Sequence, residues 1–159
     1  MSNIIYLKLT GEKQGLISKG CGTEDSIGNK FQLNHKDEIF ILQYSESTSR
    51  VQNMTHHPID LIKIIDKSTP LLLIANSNNE KLKLELSFYK TATNGSMEKY
   101  LVVKINEAYI IHRNIRVPHS INSNDMQPEE SFSIIYRDIT YSHITAGTSG
   151  YSINDNNNF

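Results

Sequence analysis

Ile65-Asp66-Lys67-Ser68-Thr69-Pro70-Leu71-Leu72-Leu73-Ile74-Ala75 decides how the rest of the chain is read. It continues an extended run over residues 59–65 and turns into the one sizeable helix that the pattern predicts. Ser68 or Thr69 can offer a side-chain oxygen to the unpaired amides of the first turn. Pro70 suits that turn, because its missing donor would have no intrahelical partner there. The apolar residues that follow are too dense for a face left in water. They predict a short, largely buried helix, started by Ser68, Thr69 and Pro70 and anchored by Leu72 and Ile74. Asn76-Ser77-Asn78-Asn79 ends it, since Asn tolerates a left-handed cap and competes with helical hydrogen bonding.

Outward from this helix the period is that of strands. Leu82, Leu84, Leu86 and Phe88 alternate with Lys81, Lys83, Glu85 and Ser87, the clearest half-buried strand in the chain. Asn94-Gly95 then reads as a hairpin turn, because both residues accept positive φ. The returning strand sets Leu101, Val103 and Ile105 against Lys104 and Asn106, and a further strand is expected over residues 109–117, closed by Pro118. After the polar residues 120–129, two more strands carry Phe132, Ile134 and Tyr136, then Ile139, Tyr141 and His143. Upstream, residues 4–9 alternate, residues 39–44 are apolar on both faces, and residues 45–57 are polar and turn-prone. Residues 10–36 form a polar stretch with five glycines, too long for a simple turn. The fold class is therefore mainly β: a small barrel or sandwich of about nine strands with one short helix packed on its side, as a single domain over residues 1–159.

Composition narrows the function. With 159 residues and a formal net charge of −1, the chain has a sizeable core and no basic stripe for nucleic acid or a membrane surface. Cys21 is the only cysteine, so no disulfide framework exists within the chain. The N-terminus lacks the pattern of a signal peptide, and no apolar run is long enough to span a bilayer. The six histidines show no helical HxxxH pair, and adjacent His56 and His57 point to opposite sides of an extended segment. Gly147-Thr148-Ser149-Gly150 lacks the order of a nucleophile elbow. The glycines near Cys21 lack the Lys-Ser/Thr ending of a phosphate loop. No enzyme, metal site or cofactor is expected.

Asp66-Lys67-Ser68-Thr69-Pro70 and its apolar continuation closely resemble the strand-to-helix junction of the Hcp (haemolysin-coregulated) proteins, the tube subunits of bacterial type VI secretion. Further pieces agree in order. They are Asn3-Ile4-Ile5-Tyr6-Leu7, Asp25-Ser26-Ile27-Gly28-Asn29-Lys30, Pro118-His119-Ser120, Asn124-Asp125-Met126-Gln127-Pro128-Glu129, and the ending His143-Ile144-Thr145-Ala146-Gly147-Thr148-Ser149-Gly150-Tyr151-Ser152-Ile153.

The resemblance implies a fold like that of phage tail tubes, and six-membered rings that stack into a hollow tube propelled by a contracting sheath. It implies that the chain partners itself, a spike protein at the tip, sheath proteins and small effectors in the lumen, with no nucleic acid and no membrane insertion. It further implies a bacterial cytoplasmic stage before export through the machine. Residues 45–57 become the loop that reaches toward the next ring, with Arg50, Gln52, Asn53 and His56 making the inter-ring hydrogen bonds. Two alternatives stand beside this reading. One is a monomeric barrel that binds a small hydrophobic molecule, which the absence of a secretory signal and of Trp disfavours. The other is a secreted effector built on the tube scaffold, for which the residues after the last expected strand leave no room.

Overall fold

A computed structural model describes residues 3–30 and 32–154. In chain order the elements are β1 (Ile4–Gly11), β2 (Gly15–Leu16), α1 (Glu24–Ile27), β3 (Ile39–Ser45), β4 (Thr48–Arg50), β5 (Met54–His56) and β6 (Ile59–Ile64). They continue with α2 (Thr69–Ser77), β7 (Leu82–Thr91), β8 (Met97–Arg116), β9 (Glu129–Ile135), β10 (Asp138–His143) and β11 (Thr148–Ile153). Nine strands make one antiparallel sheet, while β4 and β5 form a separate hairpin cut from the polar residues 45–57.

The main sheet closes on itself. β8 pairs with β7, β7 with β1, β1 with β3, β3 with β6, β6 with β9, and β9 with β8 again. One strand can serve both ends of this ring because β8 is 20 residues long. Residues 97–108 of β8 pair with β7 and residues 109–116 with β9. The sequence pattern breaks at Asn106-Glu107 and suggests two strands; the structure keeps one, with Glu107 at φ 48° absorbing the irregularity. β10 and β11 extend from the other edge of β8, and β11 is the outer strand.

Alternation turns Ile5, Leu7 and Leu9 of β1 into the core beside Leu82, Leu84, Leu86 and Phe88 of β7. Their neighbours on the other face are polar: Lys8 pairs with Glu85, and Glu85 with Lys104. The Asn94-Gly95 hairpin turn forms, but only Gly95 takes positive φ (86°), and Asn94 Oδ1 accepts the Ser96 amide at 3.0 Å. The long segment between β2 and β3 carries the four-residue α1, which the sequence pattern does not announce. It packs closely enough that a Cβ on Gly22 would lie 1.9 Å from the His35 carbonyl oxygen.

α2 differs from expectation in its facing. Leu72 and Ala75 are buried, but Ile74 is 43% exposed and Leu73 55%. In a nine-residue helix only one stripe can face the core, and Ile74 lies about 200° round the axis from Leu72. Ile74 is therefore not an anchor, and the helix is half-buried. Asn76 secures its far end by donating to the Ile110 carbonyl at 3.0 Å.

Candidate functional site

Two polar constructions stand out on this frame, one at each end of β6. The first is the β6–α2 junction. Lys63, fully buried, points its ammonium at Asp66 Oδ1 (2.9 Å) and Glu130 Oε1 (2.8 Å). Arg113 closes the other side of Glu130, donating from Nε (3.1 Å) and Nη2 (2.8 Å) to Oε2. Thr69 bridges the group: its hydroxyl donates to Glu130 Oε1 at 3.0 Å and accepts the Asp66 amide at 3.2 Å. Two cations and two carboxylates thus neutralise one another away from water, the arrangement in which buried charge is tolerable.

Ser68 occupies the N-cap position of α2 but does not cap by its side chain. Its hydroxyl donates instead to Asp66 Oδ1 (2.5 Å), which also accepts the Ser68 amide at 2.8 Å. Ser68 has helical rather than extended backbone (φ −77°, ψ −15°), so its oxygen caps no first-turn amide and its hydroxyl joins the ion network. Pro70 sits in the first turn as expected. Cys21 lies close enough to feel this charge: burial, then the Asp66 carboxylate, push its thiol up to about 12. On the outer side of the junction, the Lys67 amide donates to Ser26 Oγ of α1 at 2.8 Å. Between them lies a recess of about 450 Å³ lined by Thr23, Asp25, Ser26, Ile65, Asp66 and Lys67.

The second construction is the β4–β5 hairpin. Arg50, Gln52 and Asn53 are exposed at its tip, and Val51 is 97% exposed. His56 is not among the exposed groups. It is 8% exposed, with Nε2 2.7 Å from Ser152 Oγ and its ring edge-on to Tyr136 at 5.7 Å. That burial leaves its side chain little surface for another ring; within the chain His56 ties the hairpin to β11. His57 supports the hairpin from within, its Nε2 2.9 Å from Ser49 Oγ. Among the described residues, no three His, Cys, Asp or Glu side chains gather to hold a metal ion. No helix among them is long and apolar enough to cross a membrane.

A family model described as type VI secretion system effector, Hcp, matches residues 6–143. The chain belongs to the Hcp family. It is 32% identical to the "Major exported protein" of Pseudomonas aeruginosa over 94% of both chains. It is 38% identical to the Escherichia coli K12 protein YhhZ over 93% of this chain, which spans only 37% of the length of YhhZ. A solved structure titled "Crystal structure of Hcp protein" superposes with a TM-score of 0.92 at 30% identity, covering 98% of this chain and all of the other. The Hcp family consists of secreted tube proteins of type VI secretion and is not a family of enzymes.

Sequence reasoning singled out the Asp66–Pro70 junction of Hcp but overlooked the charges that hold it. Lys63 was legible as an odd residue in an apolar strand; its partners Arg113 and Glu130 lie tens of residues away and carried no signal. The structure brings Ser68 and Thr69 together with them and leaves Arg50, Gln52 and Asn53 on a separate element.

Proposed function

We propose that this Hcp chain forms rings of six that stack into a hollow tube, and that the tube carries small effectors and is itself exported through the type VI machine. The observation that carries the reading is the full-length match to a solved Hcp fold, covering 98% of one chain and 100% of the other. The outer strand β11 leaves one edge without a strand partner among the described residues, with Tyr151 and Ile153 exposed on it. Such an edge invites a neighbouring subunit. Lys8, Glu85 and Lys104 give the outer face of β1, β7 and β8 mixed, weak charge, which suits a channel wall along which cargo slides. Sheath and spike proteins are the further partners, meeting the tube along its length and at its tip.

In this reading the hairpin tip makes the contacts between rings. Replacing Arg50, Gln52 and Asn53 together with Ala leaves His56 in place, so the hairpin keeps its seat on β11. Single rings should persist while end-to-end association weakens. Each lost hydrogen bond removes about 0.5–1.5 kcal/mol, and six copies at every junction multiply the effect. In a secreting bacterium the variant should accumulate in the cell. Normal stacking and export, or collapse of the rings to monomers, would refute the role of the tip.

A further inference from the structure

The hairpin tip and the junction recess lie beyond opposite ends of β6. β6 runs for six residues from the hairpin side at Ile59 to Ile64, next to the recess. At about 3.3 Å per residue that separates the two features by ~20 Å. A chain cannot fill its own recess with its own tip, whereas a second copy displaced along the strand can. We propose, resting on the stacking reading above, that the recess between α1 and the β6–α2 junction is the socket for the β4–β5 tip of a second copy.

The two surfaces are complementary in charge and in shape of chemistry. The tip presents a guanidinium, Arg50, beside Val51, a large apolar side chain left 97% exposed. The recess offers Asp25, exposed on α1 next to Glu24, and Ile65, an apolar side chain 39% exposed. Asp66 lies beneath it, its side chain 0% exposed and paired with Lys63, and its Oδ2 has no hydrogen-bond partner among the described residues. Lys67 also lines the recess, with its ammonium beside Gly20, 3.0 Å from where a Cβ there would sit. Arg50 thus meets Asp25 at the rim, next to Glu24, and Val51 covers Ile65. Such rim charge pairing fixes register between rings more than it adds raw affinity.

A charge exchange tests the assignment. Arg50→Asp and Asp25→Arg alter exposed residues, so circular dichroism should show both folded, and light scattering should show intact rings. Each alone should weaken ring-on-ring association in sedimentation velocity by at least about tenfold, and the two together should restore it, the signature of a direct pair. As a second measurement, Val51→Cys with Ile65→Cys, treated with a disulfide oxidant, should give a ladder of linked chains on a non-reducing gel. Either single cysteine should give no ladder. Rings that stack normally in both charge variants, or a double variant no better than either single one, would overturn the socket while leaving the stacking reading intact. Wild-type rings that never stack would overturn both. Purified stacks unaffected by Asp25→Arg, with export lost in cells, would place a different protein in the recess and overturn the second-copy assignment.

Discussion

Lys63→Met is the sharpest probe of the buried junction. Methionine nearly matches lysine in length, so packing is largely kept and the change reads the charge. In the native chain the ammonium serves Asp66 and Glu130 at 2.9 and 2.8 Å, with all three side chains at 0% exposure. Without it Glu130 keeps Arg113 and Thr69, but Asp66 keeps only the amide and hydroxyl of Ser68. Removing one partner of a buried ion pair costs about 3–5 kcal/mol, and the retained Arg113 places this case near the lower end. With a urea slope of about 2 kcal/mol per molar, a cost of 3 kcal/mol moves the midpoint down by ~1.5 M. Melts should be run at one protein concentration, since association stabilises the folded chain by mass action. Adding Asp66→Asn should restore part of the loss, because the stranded carboxylate is then neutral; the pair should couple by at least about 1 kcal/mol. A single-variant loss below about 1 kcal/mol, or strictly additive effects, would mean that the network is not the buried unit described.

Two further outcomes follow from the packing. Leu72→Ala should cost about 2–5 kcal/mol in urea melts of separated chains, whereas Ile74→Ala, half-exposed, should cost under about 1 kcal/mol; equal costs would contradict the facing of α2. Native Cys21 should resist alkylation at pH 8 and react once urea unfolds the chain. Its raised thiol also sets a sign: the folded chain keeps a proton that the unfolded chain releases from about pH 8.5. Stability from this group is therefore complete below that pH and declines toward the folded value of about 12. Cys21→Ala should flatten this share of the slope, and an unchanged slope would contradict the burial assigned to the thiol.

What the sequence made legible was local. The alternation through Leu82, Leu84 and Leu86, the Asn94-Gly95 turn and the Pro70 helix start all depend on neighbours within a few positions, and all formed. The helix facing failed because Leu72, Leu73 and Ile74 are equally apolar; only packing against the sheet decides which of them turns inward. His56 reads as one more polar residue in a polar loop until Ser152, 96 positions later, is placed beside it. The long-range pairing of Lys63 with Glu130 is hidden for the same reason. Continuity of β8 through Glu107 was hidden because a single left-handed residue keeps a strand going where the pattern reports a break.

The mass of the purified particle tests most directly whether this Hcp chain assembles into the proposed ring. Light scattering with negative-stain microscopy should give about six times the chain mass and an annular particle, the closed assembly expected of head-to-tail contacts. A stable monomer across the accessible concentration range would contradict the account.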